Sequence, residues 1–250
     1  MKIRIIRPVT SETDDSVIED QFKAFASPDV VLSATRLTGC PRSIESRVDV
    51  AVAAPRVVEA VLAAERDGFD ACLVNCFADP GVAAAREVAR IPVTGPGESS
   101  LAIAMALGTR IGIVTVVREL IPVIIEAARS SGIGNKVVSV RAVDIPVLEL
   151  EDRPRLLKSF VREAVASIRE GAHVIIAGCT GMVGLAKEVR ETLLREGYDV
   201  PVVDPQGAAL ALAETFVRLS VYQSKLSYSR PSGKTLNDDM ATLSLSGGTV

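Results

Sequence analysis

The chain has 250 residues, a formal net charge of −3 and no basic stretch interleaved with aromatics, so it lacks the electrostatic footprint of a nucleic-acid binder. Hydrophobic residues make up 48% but aromatics only 4%, with no Trp, so the core must be built from Val, Ile, Leu and Ala, which suits buried parallel strands under helices. No uncharged apolar run reaches the roughly 18 residues of a membrane span, and the N-terminus carries Arg4 and Arg7 where a signal peptide would be apolar, so a cytoplasmic protein with no membrane partner is expected.

Lys2 to Arg7 reads as a first strand, and the loop after it, Pro8-Val9-Thr10-Ser11, offers hydroxyls to cap a helix that carries Val17, Ile18, Phe22 and Phe25 inward. Asp29 to Leu37 is β-branched enough for a second strand. An aperiodic loop, Thr38 to Glu45, follows it. Pro55 opens a helix with Val57, Val58, Val61 and Leu62 on one face, ended by Gly68. The next strand, from Ala71, ends in Asn75-Cys76, and a helix runs from about Val82 to Ala89. Ile91 to Thr94 is a short strand and Gly95-Pro96-Gly97-Glu98 a turn.

The second half starts with a helix from Glu98 to Leu107 and a strand from Arg110 to Val116. A helix with Pro122 in its first turn and a strand from Lys136 to Val143 follow. Pro154 to Glu170 is the clearest helix, with Leu156, Phe160, Ala164 and Ile168 on one stripe. A strand then reaches Gly178-Cys179, followed by its helix, a strand from Val200 to Val203, and a last helix from Ala208 that is expected to pack back on the first half. The stretch 224–250 is rich in Ser, Gly and Thr and reads as an arm, in part disordered.

The two halves repeat one another. Gly68-Phe69-Asp70 aligns with Gly171-Ala172-His173 and Cys76 with Cys179, each 103 positions apart, while the helices beginning at Val82 and Val183 align at a spacing of 101. The expected fold is therefore α/β: two pseudo-symmetric lobes, each a four-stranded parallel sheet flanked by helices, with the active site in the cleft between them. Residues 1–97 plus 206–223 form the first lobe and 98–205 the second.

Four cysteines in a chain of this size make no disulfide scaffold. Positions 40, 72, 76 and 179 contain no C-x-x-C pair, and the single His173 falls inside an apolar strand, so no metal site is expected. Cys72 reads as core and Cys40 as a loop residue. A thiol at a strand end before a helix N-terminus meets unsatisfied N–H groups, which favour the thiolate over the usual value of about 8.5. Without a histidine partner a Cys-His dyad is poor. Two matched thiols instead suit a two-base proton transfer, in which one sulfur removes a proton next to a carbonyl and the other returns one to the opposite face.

Three runs carry a resemblance: Asn75-Cys76-Phe77-Ala78-Asp79-Pro80-Gly81, Ile91-Pro92-Val93-Thr94-Gly95-Pro96-Gly97-Glu98 and Gly178-Cys179-Thr180-Gly181-Met182. Together with Ser43-Ile44-Glu45 and the spaced Asp49, Ala51, Ala53 and Pro55, they resemble the hydantoin and allantoin racemase branch of the aspartate/glutamate racemase superfamily, over roughly residues 1 to 220. The family's first loop commonly reads Asn-Pro-Asn-Thr-Ser, whereas this chain has Arg7-Pro8-Val9-Thr10-Ser11. The resemblance implies a cofactor-independent, homo-oligomeric racemase acting on a small-molecule substrate, with Cys76 and Cys179 catalytic. It also implies a substrate held by Thr10, Ser43, Ile44, Asn75, Phe77, Ala78, Thr180, Gly181 and Met182.

A 5-substituted hydantoin or allantoin is the expected substrate, because neither cysteine turn contains Lys or Arg to meet a dicarboxylate. Other chemistry on the same fold stays open: aspartate or glutamate racemisation, malonate decarboxylation or a maleate-type cis/trans isomerisation. A non-catalytic small-molecule binding protein is the alternative from a different class.

Overall fold

Two four-stranded parallel sheets, ordered β2-β1-β3-β4 and β6-β5-β7-β8, organise the computed structural model, which describes residues 1–231. Positions 232–250, most of the arm expected from the sequence, lie outside the described residues. The first sheet comprises β1 (Lys2–Arg7), β2 (Val31–Arg36), β3 (Ala71–Val74) and β4 (Val93–Thr94). The second comprises β5 (Ile111–Thr115), β6 (Val137–Ala142), β7 (Val174–Ala177) and β8 (Val202–Val203). The order 2-1-3-4 recurs in the second half, so the repeat visible in the sequence is a repeat of topology.

The central strands are apolar on both faces because helices cover both faces. Every residue of β3, β5 and β7 is buried, the pattern of parallel strands inside an α/β layer. On one face of the first sheet, Ile3, Ile5 and Leu73 pack with Ile18 and Phe22 of α1 (Asp15–Lys23) and with Ala209, Leu210 and Ala213 of α8 (Pro205–Arg218). On the other, Ile6, Cys72 and Val74 meet Val57 and Val61 of α2 (Arg47–Arg66) and Val82 and Ala85 of α3 (Val82–Val88). Each fully buried Ile, Leu or Phe here stabilises the fold by roughly 1.5–3 kcal/mol.

The second sheet is covered by α4 (Pro96–Leu107), α5 (Ile121–Ser130), α6 (Arg153–Arg169) and α7 (Leu185–Arg195), through Leu101, Ile124, Phe160 and Val189 among others. Each half also lends a helix to the other. Helix α4 follows a strand of the first sheet and packs on β7; α8 follows a strand of the second and packs on β3, and α4 and α8 lie against each other. The two sheets are thus joined through a shared helical layer.

Several boundaries differ from the sequence reading, each for an identifiable reason. Helix α2 begins two turns before Pro55. Its cap is Ser46, whose hydroxyl accepts from Asp49 N at 3.2 Å, while the Asp49 carboxylate accepts from the Ser46 hydroxyl at 2.8 Å and from Glu45 N at 3.0 Å, so the cap residue and the third helical residue hold each other. Pro55 is exposed, so the bond it cannot donate is missing on the solvent side while Ala53, Val57, Val61 and Ala64 stay buried on the other. Pro96, read as a turn residue, and Pro205, read as lying before its helix, occupy the first position of α4 and α8, where a proline lacks nothing. In α1 only Ile18 and Phe22 are buried; Val17 and Phe25 are 45% and 39% exposed. His173 is exposed rather than buried in a strand, with Nδ1 3.2 Å from the Thr109 hydroxyl.

The helix register also differs. Gly81 and Gly184, 103 positions apart like the cysteines, are the left-handed caps of α3 and α7, with φ of 71° and 65°. The spacing of 103 therefore runs unbroken from strand through turn to helix start, and the helices align at 103 rather than 101. The length difference is taken up after it, by the longer α7. A side chain at Gly81 would also place Cβ 2.7 Å from the Ala54 carbonyl.

Candidate active site

The cysteines are the first residues off their sheets. Asn75 N donates to Ile6 O at 2.7 Å and Gly178 N to Val114 O at 2.8 Å, the last ladder bond at each corner. One position later the chain leaves the strand, so Cys76 and Cys179 stand at equivalent carboxyl-terminal corners, where open α/β sheets collect ligands. Both line one cavity of ≈ 590 Å³ between the halves.

The corners touch. Thr180 Oγ1 donates to the Asn75 carbonyl at 3.4 Å. Glu45, before α2, accepts from Val147 N at 2.7 Å, and Arg47 pairs with Glu126 at 2.6 Å. The loop after β2 is therefore tied to the second half on the rim of the cleft. A larger open groove of ≈ 920 Å³ runs along α6, but its walls are Arg141, Lys158, Arg162 and other surface residues and contain no cysteine.

The turns after the cysteines supply main-chain donors. Gly181 N donates to Cys179 Sγ at 3.3 Å. Phe77 N–H and Thr180 N–H, each directly after its cysteine, have no hydrogen-bond partner among the described residues. Both residues line the cavity. They offer a symmetric pair of donors to oxygen atoms of a bound molecule.

Neither thiol is acidified. Burial pushes Cys76 far above the usual thiol range, with the neighbouring Cys179 raising it further and the Ala78 N–H opposing. Burial pushes Cys179 up to about 11, against the Gly181 and Met182 N–H groups, and Glu45 adds to the rise. The expectation of a thiolate favoured by a helix N-terminus is corrected on geometry. Helices α3 and α7 start six positions beyond each cysteine, outside the first turn where the dipole acts. Burial raises both thiols, and at Cys179 two N–H groups of its own turn oppose the rise.

Behind Cys76, Asp79 takes a left-handed backbone (φ 50°) and turns its carboxylate onto the start of α4, accepting from Gly97 N at 2.9 Å and Glu98 N at 2.8 Å. It caps α4 rather than the helix that follows it. Burial pushes it up to about 7, with the Gly97 N–H and Arg86 opposing. Arg86, 6% exposed, pairs with Glu98 and donates to Val93 O. Gln223 bridges both main-chain groups of Val93, and the Tyr228 hydroxyl accepts from Arg86 at 3.2 Å, so the described start of the arm closes the β4 edge.

Of the residues expected to hold substrate, Ile44, Asn75, Phe77, Ala78, Thr180 and Gly181 line the cavity. Thr10, Ser43 and Met182 are not among its walls. Thr10 N is bonded to Pro41 O, and Met182 is 1% exposed in the second core. Cys72 is core, and burial raises it to about 12. Arg7, at the altered first loop, is 3% exposed and spent on holding that loop: it donates to Thr13 O at 2.7 Å and Asp15 Oδ1 at 2.6 Å. Gln21 and Gln206 also line the cavity and were missed. The signal for Gln206 was present, since Gly95-Pro96-Gly97 aligns with Asp204-Pro205-Gln206 and a long amide replaces a glycine.

Two parallel sheets related by a pseudo-twofold repeat, with a thiol from each facing one cleft, define the class. The Asp/Glu/Hydantoin racemase profile matches residues 3–213. Over 237 residues, 94% of this chain and 93% of the relative, the chain is 34% identical to a hydantoin racemase of Pseudomonas sp. (strain NS671). Among solved structures, allantoin racemase from Klebsiella pneumoniae superposes with a TM-score of 0.88 at 31% identity, covering 97% of this chain and 98% of that one. Allantoin racemase from Pseudomonas fluorescens gives 0.87 at 32%, covering 95% and 100%. The chain belongs to the Asp/Glu/hydantoin racemase family, and these relatives are isomerases.

Proposed function

We propose that this protein is a cofactor-independent racemase that inverts the carbon next to a carbonyl in a 5-substituted hydantoin or in allantoin, with Cys76 and Cys179 as its two bases. The observation that carries the reading is the pairing of two equivalent cysteine corners on one cavity, bridged by Thr180 and Asn75. The names of the relatives support the substrate class.

One thiolate takes the proton from the reacting carbon, and the electron pair of that C–H bond passes into the adjacent carbonyl as an enolate. The free N–H groups of Phe77 and Thr180 are the donors in place for oxygens of the ring, where such donors stabilise developing charge. The opposite thiol gives its proton to the other face of the planar carbon. The carbon is inverted, and the two sulfurs have exchanged protonation states. Each cysteine is the base towards one enantiomer and the acid towards the other.

The test is incubation of single enantiomers of several 5-substituted hydantoins and of allantoin in deuterated water. Loss of optical rotation with deuterium at the reacting carbon, beyond the spontaneous rate, is expected. Activity confined to acidic amino acids, substituted malonates or maleate would move the protein to another reaction of the same fold.

A further inference from the structure

Three side-chain amides in the cavity wall have buried polar atoms with no partner among the described residues: Asn75 Oδ1, Gln21 Oε1, and both the Oε1 and Nε2 of Gln206. Gln206 is 1% exposed. A buried amide atom left without a partner is destabilising, so orphaned atoms on three side chains of one cavity wall call for a molecule to meet them. We propose that Gln206 and Gln21, together with Asn75, form the head-group subsite of the cavity and bind the N–H/C=O edge of a neutral cyclic ureide. The proposal rests on the racemase reading and names the residues that recognise its substrate.

The chemistry follows from what the wall offers. Gln206 presents a donor and an acceptor side by side, the complement of a cis N–H/C=O edge, and its amide can meet that edge in either direction. Asn75 Oδ1 and Gln21 Oε1 add acceptors, which call for further N–H groups. A ureide ring brings N–H and C=O alternately. A carboxylate brings only acceptors, and would leave the three orphaned amide oxygens of this wall unpaired.

The wall is rigid enough to hold that geometry. Gln21 lies on α1, Gln206 in the first turn of α8 and Asn75 at the end of β3. Phe22, Leu73 and Ala209, next to or near these positions on the same three elements, share one core cluster. Gly207 admits Phe25 so closely that a Cβ there would stand 2.8 Å from its ring. The Asp204 carboxylate fixes the helix start by accepting from Gln206 N at 2.9 Å. Arg7, in contrast, is committed to Thr13 and Asp15.

The test uses the full chain and calorimetric binding of unsubstituted hydantoin, which has no stereocentre and so reads the subsite apart from racemisation. In Gln206→Leu, binding is expected to weaken at least tenfold while the thermal midpoint stays equal or rises, because an unpaired buried amide has been removed. Gln21→Leu is expected to weaken binding severalfold. Methylating the ring N–H groups is expected to weaken wild-type binding strongly and Gln206→Leu binding little. Unchanged affinity in Gln206→Leu, equal loss on methylation in both proteins, or a wild type that binds aspartate but not hydantoin overturns the proposal. A wild type that binds hydantoin through Gln206 yet racemises no substituted ring keeps the subsite and overturns the racemase reading.

Discussion

The Thr180 hydroxyl donates to the main-chain carbonyl of Asn75 at 3.4 Å, joining the residue after one cysteine to the residue before the other. The distance between the two cysteine corners is therefore set partly by a bond between them, besides the packing of α4 against α8. Removing a neutral hydrogen bond of this kind costs about 0.5–1.5 kcal/mol. Thr180→Val, which keeps the shape, is expected to lower kcat/KM of the racemisation about two- to tenfold with little change in thermal midpoint. A fall in thermal midpoint of many degrees would show that the contact serves the fold instead.

Cys179, pushed up to about 11 by burial, is almost wholly protonated at neutral pH. Rising pH increases its thiolate, so kcat/KM, which reports the free enzyme, is expected to climb about tenfold per pH unit from 7 towards 10 and to level near 11. Ultraviolet titration of the thiolate in wild type against Cys179→Ser gives an independent reading. A thiol titrating below pH 8 in the free protein would contradict the account.

Asp79 is raised by burial to about 7, from 3.8 for an unperturbed aspartate. A carboxyl whose folded pKa is raised contributes stability that is present below the unfolded value and is lost as pH rises through the folded one. The stability of wild type relative to Asp79→Asn is therefore expected to fall between pH 4 and 8 and to be flat above that. Thermal midpoints of both proteins across this range check it. A difference that grows with pH would mean that the bonds from Gly97 and Glu98 outweigh desolvation.

A side chain at Gly97 would place Cβ 2.3 Å from Phe77 O and 2.8 Å from Asp79 Oδ2. Both atoms belong to the turn that carries Cys76. Gly97→Ala is expected to destabilise by about 3 kcal/mol or more, in the range of overpacking, and to lower activity with it. Gly197, with φ of 88° and open space around it, provides the comparison: Gly197→Ala is expected to cost only about 1–2 kcal/mol from strain and to leave turnover unchanged. Denaturant melts of the two variants separate steric from conformational cost.

The sequence made the two sheets legible because local and repeated signals coincide there. The apolar runs before Cys76 and Cys179 share their spacing, and each is followed by a left-handed glycine and a helix. What it hid depends on contacts between distant segments. Pro55 looks like a helix start until the Ser46 cap is seen nine residues earlier. Asp79 looks like the cap of α3, and only the fold brings the first turn of α4 to its carboxylate. Thiol acidity was misread because motif position suggested dipole assistance, whereas the enclosure of the cleft is a property of both halves together. Gln21 and Gln206 lie 185 positions apart in sequence; the repeat singles out Gln206, but nothing local to Gln21 marks it as a wall of the same cavity.

The central claim is that two sulfurs serve opposite faces of one carbon, and the most direct measurement is deuterium uptake by each enantiomer separately in Cys76→Ser and Cys179→Ser. Serine is too weak a base to replace a thiolate, so each variant is expected to lose racemisation while still exchanging the proton of only the enantiomer that faces its remaining cysteine. The enantiomer preference should be opposite in the two variants. Racemisation at the wild-type rate in either variant, or loss of the same enantiomer's exchange in both, would contradict it.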